Sequence, residues 1–442
     1  TRGGIGIYPP PPHNSLISLN SILATEPLWS DTNRVMALTQ TEAGPYRWVV
    51  IISWTISNST GWAIAFVIGI LLPSISSEFQ LSYTQQGLLS SIPVWTFALL
   101  TIPLSVWLVR YRFTTLTTVT LVLATLFVFL QASAATFAIL LACRFAFGLT
   151  MAAREPTRVR LMQQWFPPRD LLLANGVTLG FLSLVFTAML VATPLFLDAF
   201  NNDWRATLYL FGGFFTLLTI LWGILGRQRV TQEDQLGNTR METGLLKGVL
   251  RHKELWMAGL GFLGSNLASA VFLTFYPTYM LDRYHVSLTV SGAVLALTFL
   301  VCGITSFGIS RIATDWKTRA NVLYLCGLAM PCSFVVLVLT DSFPLLLIAA
   351  VVNGLSWGFF PILLTVTFHL RDIRIREVPV GHAFLFTNIS LGMATGPLLT
   401  GFLQDTFNNL AAVLIVISLL SISVAIAGLF VGRLPNVQTS EN

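Results

Sequence analysis

Two charged side chains of this 442-residue chain, Arg144 and Glu155, stand inside a long apolar run. Charge near the middle of a bilayer costs at least about 2.5–3.5 kcal/mol on insertion scales, so each calls for a physical reason. They are eleven residues apart, close to three helical turns. One helix would present both on a single face about 16 Å apart, with Gly148 and Met151 between them. Arg158, three residues beyond Glu155, can pair with it. The chemistry open to this set is capture of an anionic or polar group by Arg144, with Glu155 as a protonatable or gating partner. The structural alternative makes Arg144 a strut bonded to backbone carbonyls and Glu155 a salt bridge near the membrane edge.

Polar groups at mid-run form the next set. Asn58, Asn266 and Asn353 each fall near the centre of an apolar stretch. An amide facing lipid would be unsatisfied, so each must face another helix or a wet cavity. Trp62 lies one turn from Asn58, Trp357 one turn from Asn353, and Trp95 sits mid-run. Trp concentrates at membrane interfaces, so mid-depth Trp reads as a flat wall for a solute or as packing against a neighbouring helix. Tyr276 and Tyr279, flanking Pro277, read as an outer gate or as part of an aromatic belt. His369, His382 and Asn388 are weaker candidates near the other end.

The elements that must hold these residues follow from composition. The chain is 54% hydrophobic and 10% charged, with a mean hydropathy of +0.74. Soluble domains carry about 25% charged residues, which excludes an ordinary water-solvated enzyme. At about 20 residues per span, the hydrophobic content fills about twelve helices. The runs are continuous rather than alternating, against a β-barrel. They fall at 48–72, 84–109, 114–132, 136–162, 171–197, 205–226, 255–280, 288–312, 320–339, 343–368, 380–403 and 409–431. Cys143, Cys302, Cys326 and Cys332 lie in these runs without CxxC spacing and read as small core hydrophobes, not metal ligands.

Lys and Arg set the orientation. With the N-terminus inside, 22 of the 25 cations fall on the inner side, Arg205 and Arg283 outside, and Arg144 within the membrane. Both termini are therefore expected in the cytoplasm, in a bacterial inner membrane. The net charge of +6 belongs to this asymmetry and implies no nucleic acid.

The chain also repeats itself. Arg110-Tyr-Arg112 recurs as Lys317-Thr-Arg319, Arg169-Asp170 as Arg376-Glu377, and Asp198-Ala-Phe-Asn-Asn as Asp405-Thr-Phe-Asn-Asn, each at an offset of 207. Asn58 and Asn266 differ by 208. The expected plan is a tail at 1–46, a six-helix bundle at 47–227, a linker at 228–254, a second bundle at 255–432 and a tail at 433–442. Repeats of this kind meet at a pseudo-two-fold axis with a solute site near the midplane.

At this level the chain resembles the major facilitator superfamily. The resemblance rests on Arg144-x3-Gly148-x7-Pro156, Trp165-Phe166-Pro167-Pro168-Arg169, Trp204-Arg205, Asn353-Gly354 with Gly358 and Pro361, and the Gly381-to-Gly401 stretch. It implies an all-α membrane fold of twelve helices in two pseudo-symmetric six-helix bundles, whose first, fourth, seventh and tenth spans line the cavity. It also implies an Arg at position 144 tied to coupling. The family's loop between spans 2 and 3 reads G-x-L-A-D-R-x-G-R. Here Leu108 replaces the Asp and Tyr111 the Gly, leaving Arg112, while the second copy keeps Asp315 and Arg319 with Thr318 for Gly. Any inner latch resting on the first Asp must work differently. The fifth span lacks a clear G-P antiporter signature.

The implied function is secondary transport of a small polar, anionic solute, with no catalytic residue, metal or cofactor called. Arg144, Asn58, Trp62, Trp95, Asn266, Asn353 and Trp357 are the candidate binding residues. Glu155, Arg158, Arg112, Asp315, Arg319, Tyr276 and Tyr279 are the candidates for coupling or gating. Partners are the lipid bilayer, the solute, and protons or a counter-solute. The rival reading is a non-transporting scaffold, assembly factor or accessory subunit. The first 46 residues carry a proline run at 9–12 and a short apolar stripe at 15–25, which reads as a disordered tail or a partner-bound helix. The chain opens on Thr1 without a cleavable secretory signal, which reads as a processed or truncated start.

Overall fold

The computed structural model describes residues 44–108, 111–166, 170–227, 248, 250–312, 316–370 and 377–431. The sequence expectations for the two tails, most of the linker, and Arg110, Arg169, Asp315 and Arg376 lie outside them.

Twelve helices are long and apolar enough to cross a membrane. They are α1 (Tyr46–Phe79), α2 (Tyr83–Leu108), α3 (Phe113–Ala132), α4 (Phe137–Trp165), α5 (Leu171–Ala199) and α6 (Trp204–Leu225) in the first half. The second half holds α7 (Lys253–Tyr284), α8 (Leu288–Ile312), α9 (Trp316–Leu339), α10 (Phe343–Phe368), α11 (Val378–Phe407) and α12 (Leu410–Val431). Odd-numbered helices start from a face carrying Arg47, Arg112, Arg227, Lys253 and Lys317, here the basic face. They end at a face carrying Glu78, Asp198, Asp203, Asp282, Asp341 and Asp405, the acidic face.

Local chemistry fixes the ends. Asp203 caps α6 by accepting from the amides of Arg205 and Ala206, and Asn409 caps α12 by accepting from Ala412. Asn201, Asn202 and Asn408 take positive φ, a conformation that Asn tolerates better than most residues, and there the chain turns out of α5 and α11. α1 runs seven residues past the apolar stretch that predicts it, through Ser74, Ser76, Ser77 and Glu78. Tertiary partners hold that extension: Glu78 accepts hydrogen bonds from Trp204 Nε1 and from Arg205, whose guanidinium also donates to the carbonyls of Ala132 and Ala134. α10 breaks at Trp357–Gly358, where turn-like bonds from Trp357 N to Gly354 O and Gly358 N to Leu355 O replace the helical ladder. Pro361 has no N–H to return to the Trp357 carbonyl, which accounts for the break.

The helix neighbours of the two halves correspond. α1 packs on α5 and α6, α2 on α4, and α3 on α4 and α6; α7 packs on α11 and α12, α8 on α10, and α9 on α10 and α12. Across the middle, α2 meets α11 as α5 meets α8, and α1 meets α7. Those pairings are what a two-fold exchange of the halves requires, so the offset of 207 is a structural repeat.

The halves approach most closely toward the acidic face. A Cβ on Gly69 would sit 2.0 Å from the Leu273 carbonyl, one on Gly87 2.2 Å from that of Pro397, and one on Gly292 2.7 Å from that of Leu190. All three contacts lie in the acidic half of their helices. The repeated Asp seals the same layer. Asp405 accepts from the Tyr83 and Thr84 amides at 3.1 and 2.9 Å, at the start of α2, and Asp198 accepts from Thr289 Oγ1 at 3.1 Å, at the start of α8. Toward the basic face the halves meet through long side chains, with Arg158 lying 5.8 Å over the Phe386 ring.

Candidate functional site

Arg144 is fully buried. Its Nε donates to Leu89 O on α2 at 2.6 Å, Nη2 to Ala65 O on α1 at 2.9 Å, and Nη1 to Gln131 Oε1 on α3 at 3.4 Å. One guanidinium on α4 thus ties the other three of the first four helices together. Its neighbour Gly148 lets α4 press against Pro93, whose carbonyl would lie 2.5 Å from a Cβ there. In this conformation the three acceptors of Arg144 are all protein groups, the arrangement that the structural alternative, a strut, describes.

Ten residues further along α4, Arg154 is also fully buried. Its Nε donates to Asn58 Oδ1 on α1 at 2.9 Å, while Nη1 and Nη2 have no hydrogen-bond partner among the described residues. The charge pattern counts Arg154 among the inner-side cations; the structure shows its side chain enclosed by protein. The signal was available: residue 154 lies five positions from the centre of the 136–162 run, about 7.5 Å of helix, well inside the half-thickness of a bilayer core of about 30 Å. The bond to Asn58 could not be read, because it depends on how α1 and α4 are rotated against each other.

α1 supplies the surroundings of this guanidinium. Asn58 is half-buried and Trp62, one turn on, packs edge-on against Phe97 at 4.8 Å and stacks with Phe66. A Cβ on Gly61 would stand 3.1 Å from Arg154 Nη2 and 3.7 Å from the Phe215 ring, so glycine keeps that side open to the guanidinium. Trp54 Nε1 donates to Thr157 Oγ1, pinning α1 to α4 one turn away. Glu155, next to Arg154, is engaged by Arg158, with Nε 3.2 Å from Oε1, as the i,i+3 spacing anticipates.

The remaining candidates are dispersed. Asn353 donates to Ser333 Oγ on α9 at 2.9 Å, and Asn266 Nδ2 donates to Phe262 O within its own helix, leaving its Oδ1 buried without a partner. Trp357 stacks on Phe359 at the break in α10, and Trp95 is half-buried with its Nε1 unpartnered. Tyr279 donates to Val338 O on α9, and Tyr276 is buried against Phe272, its hydroxyl without a partner. Both tyrosines are therefore core side chains here, not a belt. Arg112 is exposed where the chain enters α3, and Arg319 is half-buried near the start of α9. His382 meets Thr367 Oγ1 at 2.7 Å across the basic ends of α11 and α10. No group of His, Cys, Asp and Glu able to hold a metal occurs among the described residues.

Comparisons with known proteins bear on the whole body. The family model of the Major Facilitator Superfamily matches residues 53–372. Among curated relatives, the chain is 26% identical over 274 residues to the uncharacterized transporter YybO of Bacillus subtilis (strain 168), covering 56% of this chain and 60% of that protein. It is 23% identical over 324 residues to the probable L-galactonate transporter of Escherichia coli (strain K12), covering 66% and 68%. To sodium-dependent phosphate transport protein 1 of Rattus norvegicus it is 24% identical, covering 47% and 49%. The chain thus spans from about half to about two thirds of these relatives' lengths. Among solved structures, it is similar to a bacterial homologue of the human lysosomal transporter Spinster in an inward-facing, unoccupied conformation. That match has a TM-score of 0.67 at 17% identity and covers 88% of this chain and 95% of that one. It is also similar to the nucleoside transporter NupG, with a TM-score of 0.69 at 12% identity, covering 88% and 100%. At these identities the structures speak for the fold alone.

Proposed function

The chain belongs to the Major Facilitator Superfamily and is an integral, multi-pass membrane protein; from that premise we propose that it is a secondary transporter of a small, polar, anionic solute. It works by alternating access between bundles spanning 47–227 and 255–432. The observation that carries the anionic reading is a buried guanidinium left partly unpaired: Arg154 is fully buried, only its Nε is bonded, to Asn58, and no carboxylate is bonded to it among the described residues. A buried cation costs several kcal/mol unless a partner offsets it, so an arriving anion gains what the protein leaves unpaired. The asymmetry of closure supports the cycle: backbone contact and the Asp198 and Asp405 bonds at the acidic face, longer side-chain contact at the basic face. The charge bias supports a cytoplasmic basic face with both termini on that side, and the membrane we assign is a bacterial inner membrane. Protons or a counter-solute are the candidate driving partners.

The test is uptake into proteoliposomes of labelled gluconate, lactate, glutamate and inorganic phosphate, with glucose as the uncharged control. The reading expects uptake of at least one anion, accelerated when the same unlabelled anion is loaded inside. Uptake of glucose alone, or of nothing, removes it. The sealed position of Arg144 and the altered loop after α2 favour a second reading, a non-transporting relative that serves as a scaffold or accessory subunit. That reading expects no flux together with stable co-purification of a partner through the N-terminal tail.

A further inference from the structure

We propose that Arg154 and Asn58 form an oxyanion subsite, shaped for a carboxylate, between α4 and α1 near mid-depth. The proposal rests on the anionic reading above and gives it an address.

The argument begins with a comparison inside one helix. Arg144 spends Nε, Nη1 and Nη2 on three protein acceptors, which is how a structural arginine is satisfied. Arg154 is buried to the same degree but spends only Nε, and among the described residues both terminal nitrogens of its fork are free of partners. A buried donor left unmade is costly, and more so when charged. Two on one guanidinium therefore mark a place that another molecule completes. The neighbouring carboxylate does not fill it, because Glu155 is held by Arg158.

Shape and chemistry point to the class of occupant. Two parallel N–H vectors at the end of a planar fork match the two oxygens of a carboxylate, a geometry a lysine cannot supply. Asn58 fixes the fork through its Oδ1 and, half-buried, retains an amide that donates to nothing among the described residues. Thr55, one turn earlier on α1, has a buried hydroxyl without a partner. Gly61 keeps side-chain atoms away from Nη2. The subsite is closed in this conformation, since Arg154 has no exposure.

The experiment uses the full chain in proteoliposomes with labelled gluconate, lactate, glutamate, inorganic phosphate and glucose, comparing wild type with Arg154→Gln, Arg154→Lys and Asn58→Ala. Monodisperse elution and an unchanged melting temperature of the variants without solute establish that each is folded. Arg154→Lys, which keeps the charge, serves where Arg154→Gln does not fold. For a transported carboxylate, Arg154→Gln raises KM at least tenfold, Arg154→Lys recovers part of that loss, and Asn58→Ala gives a smaller rise. Arginine-dependent uptake of phosphate without any carboxylate upholds the oxyanion subsite and makes phosphate its occupant. Anion uptake whose KM is the same in wild type, Arg154→Gln and Arg154→Lys overturns the subsite while the anionic reading stands. Uptake of glucose alone, or of none of the five, overturns both.

Discussion

Arg144 and Arg154 share a helix and a degree of burial, yet one guanidinium is saturated and the other is open. The difference assigns them separate tasks. Arg144→Ala removes the donor that stands in for the missing Pro93 N–H at the Leu89 carbonyl, a further donor from the Ala65 carbonyl and one from the Gln131 amide oxygen, so it should destabilise the fold by about 1–3 kcal/mol. Thermal unfolding in detergent checks this. An unchanged melting temperature accompanied by lost solute binding would return Arg144 to the role of anchor that its sequence position suggests. Arg154 should behave in the opposite way, with solute affinity falling before stability does. The candidate site was legible in part. Intramembrane charge singled out α4, and mid-run asparagines singled out Asn58. What escaped was the partner: an offset of 96 residues between Asn58 and Arg154 means nothing until α1 and α4 are packed.

At the scale of elements, the repeated D-x-F-N-N motif illustrates how a pattern can be visible and its purpose hidden. The sequence shows two copies 207 residues apart. The structure shows each Asp binding the start of a helix in the opposite bundle, α2 for Asp405 and α8 for Asp198. The positive ends of those helices favour a carboxylate, worth about 0.3–1 kcal/mol each beyond the hydrogen bonds. Asp405→Ala together with Asp198→Ala should therefore loosen the acidic-face seal. In a background with the four cysteines replaced, a cysteine at Ser90, buried one turn below Gly87, should then react with maleimide several-fold faster. An unchanged rate would show that backbone packing alone holds the face shut. α10 carries a related expectation. The Trp357 carbonyl accepts from Phe360 N at 3.0 Å in a turn-like bond, and Pro361→Ala supplies the N–H for a helical one, so amide exchange across residues 357–360 should slow as the break closes. Exchange that stays as fast would place the cause of the break in packing of Gly358 against Ile309 and Thr305.

Across the whole molecule, the fold was the most legible feature, because a bilayer admits few solutions to a chain this apolar. Most span ends read from the apolar runs fall within about four residues of the observed ones. The largest miss, the end of α1, is instructive. Serines and a glutamate there read as loop, and only Trp204 and Arg205, 126 and 127 residues away, make them helix. The two-fold correspondence of helix neighbours implies that the conformation seen has a counterpart with the basic face closed. Ser77 with Arg283 on the acidic face, and Thr115 with Lys317 on the basic face, offer exposed positions for spin labels, one in each bundle. Double electron–electron resonance between these pairs in lipid nanodiscs, with and without the anion taken up most strongly, is the most direct measurement. Alternating access predicts two populated distances on each face, the acidic pair lengthening in the fraction of molecules where the basic pair shortens, with the balance moved by the anion. One fixed distance on both faces, unaltered by any transported solute, would contradict it.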